Sequence, residues 1–147
     1  MPSVGRVKVT EYWPVLLVEL GEAPSDGEIL RMFDAYDRAY ARRERFCAIT
    51  SSIKLRRLPS PATRQLIATK AKQHEDASKL WMLQSVVVIS STIVRGAMTA
   101  VTWLSPPVYP LAHAADLDTA VDIVQRALEG DGRNAPAELV ALRNSTT

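Results

Sequence analysis

Two rhythms of apolar residues run through this chain, short β-branched blocks and longer stripes spaced by threes and fours. Residues 7–10 and 15–20 are blocks of the first kind, separated by Glu11-Tyr12-Trp13-Pro14. Pro14 has no backbone donor for a central ladder, so the pair predicts a hairpin that opens a sheet. Residues 21–27 read as a turn, with Ser25 or Asp26 suited to cap a helix and Glu28 in its first turn. The spacing predicts that helix over 26–45. Ile29, Phe33, Tyr36 and Tyr40 fall on one face, and Arg31, Asp34, Arg38 and Arg42 on the other.

Residues 46–52 read as a strand and 53–59 as a basic loop. Ser60-Pro61 starts a helix strongly, because serine caps orphan amides and proline is pre-shaped for the first helical position. This helix is expected to reach about Met82, with Ile67, Ala71, His74, Ser78 and Trp81 as its stripe. Val86-Val87-Val88-Ile89 is continuous and β-branched, as in a strand covered on both faces. Val94, Ala97, Met98, Val101 and Leu104 are helix-spaced, and Ser105-Pro106-Pro107 ends that helix. A short last strand over 108–113 precedes an amphipathic helix carrying Leu117, Ala120, Val121, Val124, Ala127 and Leu128. The order β-β-α-β-α-β-α-β-α, with right-handed crossovers, predicts an α/β fold. Its sheet is expected to be mixed and mostly parallel, with about five strands and about four helices. Residues 1–130 form the expected domain, and 131–147 a polar tail with at most a short helical turn over 136–142.

A chain of 147 residues can bury one core without disulfides or metal. Its single cysteine, Cys47, cannot staple a secreted fold, and the residues before Val7 lack a signal-peptide layout. Both point to the cytoplasm. The most apolar stretch, 80–104, is interrupted by Gln84, three serines, Arg95 and Gly96, which argues for strand plus helix over a membrane span. Charge is unevenly placed. Between Arg38 and Lys72 there are ten lysines and arginines against the single Glu44, leaving the remainder net acidic.

The arrangement resembles the STAS-like superfamily, the fold of anti-sigma-factor antagonists and STAS/SEC14-like proteins. Three stretches carry the likeness: Val15-Leu16-Leu17-Val18-Glu19-Leu20-Gly21, Val86 to Ser90 leading into Val94 to Ala100, and Tyr109-Pro110-Leu111-Ala112-His113 followed by Asp116 and Ala120 to Val124. It covers roughly residues 5–130 as order and pattern. The resemblance implies a non-catalytic bacterial regulatory or scaffold module that binds a protein partner and forms dimers. Docking would use the surface around the third strand, the loop from Lys54 to Thr63 and the second crossover helix. The family's antagonists carry an Asp-Ser pair where that helix begins, and this chain has Ser60-Pro61 there. Lipid-binding members of the class imply an alternative, a carrier holding a small apolar ligand between helices and sheet near Trp81, Met98 and Trp103.

The partner-binding residues expected on this reading are Lys54, Arg56, Arg57, Ser60, Thr63 and Arg64. A basic patch of this kind attracts an acidic protein face or a phosphate group. Its bland counterpart is a set of solvated helix residues, with those near Arg45 complementing a helix C-terminus. Ser60 is a candidate phosphosite behind Arg56-Arg57, against plain helix capping. His74-Glu75-Asp76 lacks the second histidine four residues on that a helical zinc pair needs, so His74 reads as a core or boundary histidine and no metal is expected. Tyr12, Trp13, Trp81 and Trp103 suit a cavity, a subunit contact or an ordinary core. The scattered glycines build no phosphate-cradling loop, no nucleic-acid motif occurs, and no catalytic set or cofactor is expected.

Overall fold

The computed structural model describes residues 6–104 and 106–145, the side chains of 100–104 and 144–145 excepted. Its element order is β1 (Val7–Tyr12), β2 (Val15–Leu20), α1 (Asp26–Ala41), β3 (Phe46–Ser51), α2 (Pro61–Gln73), α3 (Glu75–Trp81), β4 (Met82–Val88), α4 (Thr92–Leu104), β5 (Leu111–Ala114), α5 (Leu117–Gly130) and α6 (Ala137–Ser145). One sheet runs in the order β1-β2-β3-β4-β5. β1 pairs antiparallel to β2, and every later pairing is parallel. The protein is therefore α/β with a five-stranded, mostly parallel sheet, and β4 is an inner strand. Residues 80–104 are divided among α3, β4 and α4. Among the described residues no helix is long and apolar enough to cross a membrane.

Alternation along the strands sends side chains to the two faces of the sheet, where they join three core clusters, the smallest built from Leu55, Val87, Ile89 and Val94. Val15, Leu17, Cys47, Ile49, Val86 and Val88 meet Ala120, Val121, Val124 and Leu128 of α5 on one face. Leu16, Val18, Phe46 and Ala48 meet Ile29, Met32, Phe33, Tyr36 and Ala39 of α1 on the other. Each large side chain so buried contributes about 1.5–3 kcal/mol. Ser25 caps α1 by accepting from the Glu28 N–H, and Asp116 caps α5 by accepting from the Thr119 N–H. That acceptance, from backbone and side chain of Thr119, holds the Asp116 carboxyl below its ordinary range.

Four expectations need correction. The helix predicted over 26–45 ends at Ala41, and Arg43 takes a left-handed φ of 53° before β3. The helix predicted from Ser60 to Met82 is two helices, broken at His74, whose backbone leaves the helical region at φ −92° and ψ 6°. Its Nε2 bonds Asp37, and its ring packs against Phe33 and Tyr40. The last strand begins at Leu111 rather than 108, and Pro110, which lacks an N–H, contributes only its carbonyl, to the Ser85 N–H at 2.9 Å. Residues 137–145, expected as part of a polar tail with a short helical turn over 136–142, form the longer helix α6 and bury Leu139 completely against α5. Among the described residues there are six helices, where about four were expected.

Candidate functional site

The two helical layers sit differently on the sheet. The backbone of α5 comes close to β3, β4 and β5. By contrast, α2 approaches α1, α3 and α4 most closely, and α4 approaches α2, while its Val94 and Met98 pack with Val87 of β4, Ile89 and Leu111 of β5. Small side chains line the gap beneath them: Thr50 and Ser85 from the sheet, Ala71 and Ser78 from α2 and α3, Ala97 from α4. Stripes that would close with larger residues leave instead a partly open cavity of about 190 Å³. Its walls are mostly apolar, with Ile29, Phe33, Ile67, Val87, Val94 and Met98 among them.

Polar groups are few and placed at particular points. Tyr36, Tyr40 and Tyr109 line the cavity, with Thr50 and Ser85 on the strands below. Burial pushes the Tyr36 phenol up to about 12, the nearby Tyr109 adds to this, and a hydrogen bond with Thr50 opposes it. Tyr40 is raised by burial and by Tyr36, Tyr109 and Asp37, and Tyr109 by burial. All three are neutral phenols at physiological pH. His74 Nε2 is bonded to Asp37, and its ring lies 5.7 Å from Phe33 and 5.3 Å from Tyr40. It is a boundary histidine, and His113 lies exposed on β5. Among the described residues no group of histidine, cysteine, aspartate and glutamate could hold a metal.

At the carboxyl end of β3 the expected docking residues meet the rest of the fold. The Arg56 and Arg57 backbone N–H groups both donate to the Glu22 carbonyl, at 2.8 and 3.0 Å. Arg56 also donates its guanidinium to the carbonyls of Ile53 and Leu55, and Arg64 donates to that of Pro59 at 2.9 Å. Ser60 accepts from the Thr63 N–H at 3.1 Å and donates to Thr63 Oγ1, which donates to Asp26 at 2.6 Å. Lys54 and Arg57 remain exposed.

The wider basic stretch does not form one surface. Arg42, Arg43 and Arg45 lie before Phe46, at the other end of a six-residue strand, about 20 Å from Lys54. Arg42 sits 4.0 Å over the Trp13 ring and pairs with Glu11, and Arg45 pairs with Asp131. Lys70 and Lys72 occupy the last turn of α2.

Of the expected pocket residues, Met98 lines the cavity. Trp81 packs against the α1 core instead, and the Trp103 side chain lies outside the described residues. Trp13 stacks on Phe46 at 5.4 Å and Tyr12 packs on the α5 side, so neither reaches it. The residues missed by sequence reasoning are Thr50, Ser85 and Tyr109. A polar residue at an inward strand position was the available signal. No family model, curated protein or solved structure matches the chain.

Proposed function

We propose that this protein binds a small, predominantly apolar molecule between its helices and its sheet, as a carrier or receptor rather than an enzyme. One observation carries the reading: about 190 Å³ of space walled by side chains of α1, α2, α4 and the sheet. Protein interiors are close-packed, so a mostly apolar space of this size beneath the helices leaves room for an occupant, whose apolar surface would leave water on entering it. The STAS-like reading stays part of the proposal, supported by the sequential strand order and by helices on both faces. Native mass spectrometry of protein purified from cells tests the function. An extra mass, lost in the cavity-filling variant Ala97→Leu, supports it. A clean protein mass together with no thermal shift on adding indane removes it.

A second reading, capture of an acidic protein partner, rests on the loop after β3. Ile53 and Leu58 are 43% and 42% exposed there, beside exposed Lys54 and Arg57. Arg57→Glu is the clean probe, because Arg56 carries hydrogen bonds of the loop itself. Unchanged capture of a candidate acidic partner by Arg57→Glu would sink this reading.

A further inference from the structure

We infer that the loop after β3 and the first turn of α4 together dock on the surface of an anionic lipid bilayer. The inference goes beyond the ligand cavity and holds whether or not that space is filled. Of five large hydrophobic side chains exposed among the described residues, three lie here: Ile53 at 43%, Leu58 at 42% and Ile93 at 68%. Neighbouring inner strands bring the two segments together. Ser52 follows β3 and donates its N–H, at 3.0 Å, and its hydroxyl, at 2.6 Å, to the Val88 carbonyl of β4. Leu55 and Val94 are then buried in one cluster with Ile89. Their chain neighbours Lys54, Arg56, Ile93 and Arg95 are all exposed. The buried pair thus holds aliphatics and cations together at the surface.

Charge selects the kind of surface. No aspartate or glutamate occurs between Arg45 and His74, nor between Ala77 and Ala115. Both segments therefore bring only cations, Arg56 and Arg57 before Leu58 and Arg95 after Ile93. None of these three arginines forms an ion pair among the described residues. Lys54 shares a surface cleft with Asp116 and Asp118, so the attraction falls to the arginines. Glu22 and Asp26 border the patch, and Asp26 is already bonded to Thr63. Helices α1, α2 and α4 begin after the carboxyl ends of β2, β3 and β4, and their dipoles add positive potential at the same end.

A bilayer answers this combination better than a folded protein does. Protein interfaces are anchored largely by aromatic side chains seated in pockets. Neither segment carries a phenylalanine, tyrosine or tryptophan. Exposed branched aliphatics instead enter the boundary between headgroups and acyl chains, while arginines meet the lipid phosphates. Each cation held near an anionic membrane raises partition about fivefold. The same loop walls the cavity through Leu55 and Pro59, so the docked end is one that bounds the proposed ligand space.

Co-sedimentation of the whole chain with vesicles tests this, using phosphatidylcholine alone and a roughly three-to-one mixture of it with phosphatidylserine. Partition onto the mixed vesicles is expected to be at least about tenfold stronger, and to weaken as salt is added. Arg57→Ala with Arg95→Ala is expected to weaken it about twentyfold, and Ile93→Ser about fivefold. Lys70→Ala with Lys72→Ala removes the same charge from the far end of α2 and is expected to leave partition unchanged. Thermal melts check that each variant folds. Should one fold poorly, the two vesicle types compared on the unaltered protein decide. Equal binding to both types, or to neither, would overturn the inference and leave the cavity and the acidic-partner reading of this loop standing. An equal loss in the Lys70 and Lys72 pair would overturn it too, because net charge alone would then account for the attraction.

Discussion

Thr63 Oγ1 donates a 2.6 Å hydrogen bond to Asp26 Oδ1, tying the first turn of α2 to the first turn of α1. Behind it stands Ser60, which accepts from the Thr63 N–H and donates to the same Thr63 oxygen, each at 3.1 Å. Thr63 of this relay lines the cavity, together with Pro24 and Pro59. A serine that sequence pattern marks as a candidate phosphosite is thus occupied as a cap.

Breaking the relay costs stability at either link. Ser60→Ala deletes the cap and is expected to lose about 1 kcal/mol. Thr63→Val takes the buried donor from Asp26 and the acceptor from Ser60, and is expected to lose about 1–3 kcal/mol. Urea denaturation measures both. Midpoints equal to that of the unaltered protein would mean the relay has no energetic weight.

Two glycines are expected to respond in opposite directions. Gly132 follows α5 at φ +74°, its N–H donating to Glu129 O at 3.0 Å while Arg133 N–H reaches Leu128 O at 2.8 Å. This is a left-handed helix end that turns the chain toward α6. Gly132→Ala therefore costs about 1–2 kcal/mol. Gly96 lies inside α4, where an added Cβ meets nothing within 4 Å, and Gly96→Ala gains about 1 kcal/mol of helix propensity. Thermal melts of the pair check the signs, and a gain in both would disprove the assigned turn.

Much of the architecture was legible because its signals are local. Ser25 and Ser60 cap the helices they were expected to cap, and the β-branched run at Val86 lies in an inner strand. The stripes Ile29, Phe33, Tyr36, Tyr40 and Ile67, Ala71, His74, Ser78 were also legible, and they turn out to wall the cavity. Periodicity states which face turns inward and is silent on whether that face meets another side chain or empty space. His74, where the helix breaks, meets Asp37, Phe33 and Tyr40 of α1, a contact between distant helices that no local window contains. Trp81 enters the expected pocket through the resemblance, and its packing on the α1 cluster goes with its place at the end of α3, a boundary the helical stripe does not mark.

Alkaline pH should unfold the protein through its buried acids. Cys47 has no exposed surface, and burial pushes its thiol from 9.0 up to about 12, while Tyr36 moves from 10.0 to about 12. Both are acids raised on folding, so the unfolded chain loses these protons first. Stability is intact below the unfolded values and falls as pH climbs from 9 toward 12, by up to about 1.4 kcal/mol per pH unit for each group. Cys47→Ala is expected to flatten the decline that begins near pH 9, measured by urea denaturation at pH 8, 10 and 11. A thiol reagent at pH 8 should leave the folded protein unmodified and react once urea unfolds it. Rapid modification in buffer alone would contradict the buried thiol.

The two faces of the sheet should answer one substitution with opposite signs. Ala97 on α4 borders the cavity and is half-buried, whereas Ala120 on α5 has no exposed surface and packs directly among Val15, Val86 and Val121. Leucine at 97 enters open apolar space, so Ala97→Leu is expected to raise stability by about 0.5–2 kcal/mol. It should also weaken any binding of indane, because the added carbons take volume the ligand needs. Leucine at 120 must displace close-packed neighbours, and Ala120→Leu is expected to lower stability by about 1–3 kcal/mol. Urea denaturation of the two variants measures the contrast. Equal destabilisation by both would mean that the helical layer of α2 and α4 lies as tightly on the sheet in solution as α5 does, and the space assigned to a ligand would be gone.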